Sequence, residues 1–132
     1  MDVTISEVGP RDGLQSIKRT LPTEAKHRWI AALAQAGLRE IEVGSFVSPK
    51  VLPQMADCAE VVAQARTIPD LCIVVLVPNL RYATMAFEAG THVITIPVSV
   101  RVASPRAREM PKSLISAEPS SATKMLPGLT SR

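Results

Sequence analysis

Residues 34–46 read AQAGLREIEVGSF, and residues 87–99 read FEAGTHVITIPVS. Both run from the end of a helical pattern through Ala-Gly and a short gap into a β-branched run. Glycine ends a helix in the left-handed region without a Cβ penalty. Each stretch is therefore an α-to-β joint at which the next strand starts at once. Two such joints predict a repeated strand–helix unit. Repetition predicts a parallel sheet, because every crossover must return the chain to the same end.

The flanking segments fit that repeat. VTISEV (Val3 to Val8) is a β-branched strand stopped by Gly9-Pro10. After Pro22 comes TEAKHRWIAALAQAG, where Thr23 suits a cap and Glu24 the first turn. Ile30, Leu33 and Ala34 fall at helical spacing with Trp29 alongside, and Gly37 supplies the stop. REIEVGSF is a second strand, and residues 55–66 form a second helix. LCIVVLVP (Leu71 to Pro78) is almost continuously apolar, as a strand covered on both faces should be. A helix over 80–89 leads to a fourth strand, HVITIPVSV. Four such strands fit either the start of a barrel or a small doubly wound sheet, and periodicity leaves both open.

The chain has 132 residues, 46% of them hydrophobic, enough to build a core for one domain or for part of a larger one. No stretch reaches the roughly 18 apolar residues of a membrane span. The N-terminus lacks the basic-then-apolar pattern of a secretory signal. Cys58 and Cys72 have neither metal-type spacing nor a disulfide-rich setting. A reduced, cytoplasmic protein is expected. The net charge of +3 divides unevenly: residues 1–100 hold 9 basic and 10 acidic side chains, and residues 101–132 hold 6 and 2. The basic tail has no aromatic residue to stack on bases, which argues against nucleic-acid binding.

A break in pattern falls near Arg101. Pro105, Pro111, Pro119 and Pro127 arrive too often for a long helix, and six serines accompany them. The chain thus divides into a strand–helix part, 1–100, and a Pro/Ser/Arg-rich tail, 101–132. The tail reads as disordered or as foreign to what precedes it.

In parallel α/β folds, functional groups gather where strands end and helices have yet to start. Arg11 and Asp12 lie just past the first strand. Strict alternation along the second strand puts Glu40, Glu42 and Gly44 on one side and Ile41, Val43 and Ser45 on the other. With Ile41 and Val43 under helices, Glu42 points to the other face. A carboxylate there needs a cation. Arg11 is the natural partner, Asp12 can hold a divalent ion, and Glu7 is a candidate for the same cluster. Arg11-Asp12 also fits a plain turn salt bridge, Glu42 a surface pair, and Lys50 a solvated loop lysine.

VGPRDGLQ, IEVGSFVSPK, PQMAD and VLVPN together resemble the N-terminal part of the hydroxymethylglutaryl-CoA lyases. The Arg-Asp-Gly element alone is shared with isopropylmalate synthase, homocitrate synthase and related aldolases; SFVSPK followed by PQMAD narrows the match. The resemblance covers residues 3–100. It implies the first half of a (β/α)8 TIM barrel, with about four parallel strands. The implied reaction cleaves an acyl-CoA substrate to acetyl-CoA and acetoacetate with Mg²⁺ or Mn²⁺. By motif position Asp12 resembles the metal ligand, Arg11 the group that stabilises the enolate oxygen, and Glu42 a neighbour in the polar network. Gln15 and Ser45 are candidates to line the substrate pocket.

The family's other elements have no counterpart. A His-x-His pair is missing, since His27 and His92 stand 65 positions apart, and so is a Gly-rich loop with a catalytic cysteine. His92 falls at the start of a strand, opposite the active face; Cys58 and Cys72 suit the core. The resemblance thus implies a truncated chain, inactive alone, whose tail follows a frameshift or premature end. The exposed edges of half a barrel invite a homo-oligomer. A non-catalytic self-associating half-barrel and a related acyl-CoA lyase or aldolase are the alternatives.

Overall fold

The computed structural model describes residues 3–98, so the expected tail over 101–132 lies outside the described residues. Four strands form one sheet: β1 (Ser6–Glu7), β2 (Glu40–Ser45), β3 (Cys72–Leu76) and β4 (Val93–Thr95). Three α-helices intervene: α1 (Thr23–Gln35), α2 (Cys58–Ala65) and α3 (Leu80–Ala89). All pairings are parallel, and the spatial order is β1-β2-β3-β4. A doubly wound sheet reverses its order at a switch point. Here each crossover steps to the next position, and α1 packs on α2 and α2 on α3. With crossovers of one hand, the helices fall on one face. This is the wall of a barrel.

The core lies between that wall and its helices. Ile30 and Ala34 of α1, Val61, Val62 and Ala65 of α2 and Ala86 of α3 meet Ile41, Val43, Ile73, Val75 and Val77. Burying one such side chain contributes about 1.5–3 kcal/mol. Both Ala-Gly joints behave as expected, with Gly37 at φ +100° and Gly90 at φ +83°.

Three local details differ from the sequence reading. Only Ser6 and Glu7 of the first expected strand pair with β2. The chain then enters a π-helical turn, Gly9–Gly13. Pro22, not Thr23, sits at the N-cap of α1, and Thr23 turns its hydroxyl elsewhere. The second helix starts at Cys58, because Pro53 opens a separate 3₁₀ turn, Pro53–Met55, ahead of it.

The fourth difference matters most. The register between β2 and β3 shifts between Glu42 and Gly44: Glu42 pairs with Val74, and Gly44 with Val75. Val43 is the extra residue of a β-bulge, which changes the phase of everything after it. Val43 stays in the helix-side core. Gly44 also turns that way, since a Cβ there would stand 2.7 Å from Cys58 Sγ. Ser45 therefore shares the face of Glu42, opposite to where strict alternation puts it.

Candidate active site

Two strand ends converge on the helix-free side of the sheet. After β1, the Val8 carbonyl accepts from the amides of Arg11 (3.1 Å) and Asp12 (2.8 Å). Pro10 has no N–H to compete, and it is buried. The turn presents Arg11 and Asp12 side by side. From β2, Glu42 projects to meet them. Arg11 Nε donates to Glu42 Oε2 at 2.8 Å, Nη2 lies 2.7 Å from the same oxygen as an ion pair, and Nη1 donates to Asp12 Oδ1 at 2.7 Å. The Glu42 side chain is 3% exposed, Arg11 14% and Asp12 64%, so the trio runs from interior to solvent.

This gradient has chemical content. A buried carboxylate is tolerable when a fixed cation balances it. Glu42 holds the guanidinium in place, and two of its five N–H donors are hydrogen-bonded. The other three, on the two Nη atoms, are in no hydrogen bond among the described residues. Glu42 Oε1 is likewise buried without a partner.

The other sequence candidates fall variously. Ser45 is buried beside the same face, and its hydroxyl donates to the Leu76 carbonyl at 3.3 Å. Gln15 is exposed just beyond the turn. Glu7 does not join the cluster: its Oε1 accepts from the Gly9 amide at 2.6 Å, and a Cβ on Gly9 would meet both Glu7 and Trp29. Lys50 is exposed.

Both histidines and both cysteines stand away from the cluster. His92 fastens β4 to β3, with Nδ1 accepting from the Ile73 amide and its own amide donating to the Ile73 carbonyl. His27 lies in α1. Cys58 is buried behind Gly44; burial, and then the neighbouring Asp57 charge, push its thiol from 9.0 to about 12. Burial, with Glu40 second, also raises the Cys72 thiol. Neither is an activated nucleophile.

Among the described residues, no three His, Cys, Asp or Glu side chains gather as a metal centre. Asp12 is a single open carboxylate with one oxygen held by Arg11. An oxygen-loving divalent cation takes six or more ligands, so Asp12 fits as one corner of a metal site, and the described residues do not complete it.

One polar cluster escaped the sequence reading. Lys26, 2% exposed, donates to Asp57 Oδ1 and to the Gln54 carbonyl, and Thr23 donates to Asp57 Oδ2 at 2.7 Å. A signal was present: Lys26, Ile30 and Ala34 occupy one helical stripe at intervals of four. A lysine in an apolar stripe implies a buried acidic partner.

Comparison with known proteins places this geometry. Residues 2–114 match the HMGL-like family model, past the boundary near 100 read from the sequence. The mitochondrial hydroxymethylglutaryl-CoA lyase of Macaca fascicularis is 48% identical over 94 residues, 71% of this chain and 29% of that protein. The crystal structure of hydroxymethylglutaryl-CoA lyase from Pseudomonas aeruginosa superposes with a TM-score of 0.67 at 47% identity, covering 71% of this chain and 31% of that one. An HMG-CoA lyase from Acinetobacter baumannii, solved with coenzyme A and 3-methylmalate, gives 0.66 at 40% identity over 70% and 30%. The chain thus spans about three-tenths of the length of these relatives. The four parallel strands are the N-terminal part of a TIM barrel.

Proposed function

This chain belongs to the HMGL-like family, and from that premise we propose that it carries one part of a hydroxymethylglutaryl-CoA lyase-like active site. The observation that supports this most is Arg11 anchored on buried Glu42 at the C-terminal ends of β1 and β2. In the proposed reaction a 3-hydroxyacyl thioester gives up its hydroxyl proton and its C2–C3 bond breaks. The electron pair passes to the thioester as an enolate, which a proton converts to acetyl-CoA, while the hydroxyl carbon becomes the ketone of acetoacetate. Arg11 is assigned to the developing enolate oxygen through its unengaged N–H donors; fixed donors of this kind stabilise charge without reorganising. Glu42 holds the guanidinium in place. Gln15 and Ser45 are assigned to the acyl-CoA pocket.

A divalent cation, Mg²⁺ or Mn²⁺, belongs to the same reading. Asp12 would supply one carboxylate, with further donors coming from outside the described residues. When bound, the ion would supply Lewis-acid polarisation of a substrate oxygen. The proton acceptor is also assigned outside the described residues. Residues 1–100 are read as the partial barrel domain and 101–132 as a separate tail. No helix among the described residues is long and apolar enough to cross a membrane, and the reading places the protein in the cytoplasm.

The test is a hybrid. Residues 3–98 replace the matching segment of the Pseudomonas aeruginosa lyase, and acetoacetate release from hydroxymethylglutaryl-CoA is measured with Mg²⁺. Turnover is expected from the hybrid and none from the 132-residue chain alone. A folded hybrid without turnover would overturn the assignment.

A second reading, self-association without catalysis, draws on the sheet edges. Among the described residues, β1 and β4 each lack a neighbour on one side. Ile5 is 67% exposed near the first edge, and Phe87 is 80% exposed ahead of the second. Exposed edges of this kind pair with other copies. Sedimentation of the purified chain as a monomer would remove this reading.

A further inference from the structure

We propose that Lys26 is a positioning residue: from the first turn of α1, its buried ammonium fastens the segment that follows β1 to the loop after β2, so that the segments framing the Arg11–Glu42 pair open and close as one unit.

Both loops leave the same ends of neighbouring strands. The first segment, residues 14–26, continues from the turn bearing Arg11 through its loop into the first turn of α1; the second, residues 46–57, continues from Ser45. Four hydrogen bonds cross between them. Lys26 Nζ reaches Asp57 Oδ1 and, at 2.6 Å, the Gln54 carbonyl. Thr23 Oγ1 donates to Asp57 Oδ2 at 2.7 Å, and Gln54 Nε2 donates to the Ile17 carbonyl at 2.6 Å. Asp57 and Gln54 each receive or give a bond on the first segment, so neither loop can leave alone without breaking the network. Lys26 is the member least exposed to water. If Asp57 departs, the ammonium stays buried without its counter-ion, which is the unfavourable state for a desolvated pair. Opening is therefore all or none across the cluster. The unit adjoins the turn in which the Val8 carbonyl holds the Arg11 and Asp12 amides. Loss of the fastening should reach the guanidinium on Glu42.

This inference stands apart from the proposed reaction, and its test reads no turnover. Amide exchange is followed by NMR in the full 132-residue chain. Reporters are Ser16 in the first loop, which donates back to the Asp12 carbonyl, and Val51, Leu52 and Met55 in the second, bonded within it, plus the Arg11 Nε proton. In Lys26→Met, all five are expected to exchange about tenfold or more faster, while the β2 and β3 amides keep their protection, as local opening requires. Asp57→Asn should reproduce the pattern, and the double variant should add little to either single one. Acceleration in only one loop, no acceleration, or equal acceleration throughout the sheet overturns the proposal. If Lys26→Met does not fold, Gln54→Ala decides instead. It cuts only the bond to Ile17, and because opening is all or none, Ser16, Arg11 Nε, Val51 and Leu52 should accelerate together, severalfold. An unchanged Ser16 in that variant overturns the coupling.

Discussion

On the helix-covered side of the sheet, Ile41, Val43, Ile73 and Val75 lie in a dry aliphatic layer with no polar atom among their side chains. On the other side of the same two strands, Glu42 and Ser45 are just as inaccessible, yet they bond through polar atoms to Arg11 and to the Leu76 carbonyl. Burial is alike on the two sides; what differs is whether one residue can be changed alone. Dispersion and solvent exclusion are shared among many neighbours, so each aliphatic chain contributes its own portion. A buried ion pair has two members, and removing one leaves the other as a charge without water.

The largest effect should therefore come from the charged side. Arg11→Ala is expected to destabilise the chain by about 3–5 kcal/mol in urea melts, by stranding Glu42. In the hybrid lyase it should lower kcat by roughly 10²–10³. Arg11→Met with Glu42→Leu should recover most of the stability and none of the turnover. If the double variant is no more stable than the single one, the two sides are not different in kind.

Next comes the aliphatic side. Ile73→Ala should cost about 2–5 kcal/mol, with no single neighbouring change restoring it. Gly44→Ala tests the seam between the two, because the added methyl would stand 2.7 Å from Cys58 Sγ. Overpacking of this sort costs about 1–3 kcal/mol, and Cys58→Ala should relieve it in the double variant. Rescue would show that strand and helix are spaced by that one missing Cβ.

The smallest effect is expected at the thiols. Cys58 is raised to about 12, so below that pH little of it is the reactive thiolate. Iodoacetamide at pH 8 should label the half-buried Cys72 before Cys58, and mass spectrometry of the folded chain checks the order. The linkage has a definite sign. The contribution of a protonated Cys58 is intact below pH 9 and is lost as pH rises towards about 12, because the unfolded thiol ionises first. Cys58→Ala should accordingly lose less stability than the unaltered chain over that window.

Much of this was legible in one dimension. The two Ala-Gly joints mark the helix ends because a positive φ almost demands glycine, and the run from Leu71 to Pro78 announces a strand covered on both faces. Arg11 with Glu42 follows from charge and strand position alone. What escaped depends on partners distant in the chain. Lys26 finds Asp57 across 31 positions, and only its place in an apolar stripe hinted at the pairing. The bulge at Val43 was invisible because alternation assumes one residue for each partner residue, and nothing in EIEVGS breaks that assumption. Thr23 looked like a cap for want of any sign that its hydroxyl was claimed by another helix.

The bulge also divides β2 into two halves that answer to different constraints. Upstream of Val43 the strand is phased by its pairing with the start of β3; downstream it is phased by the spare residue. Pairing Val43 one-to-one with Val75 would leave Ile41 and Glu42 in register while turning the remainder over by half a turn. Ser45 would then point among the helices, and Phe46 would point into the site. One unpaired residue thus governs which side chains line the mouth of the site.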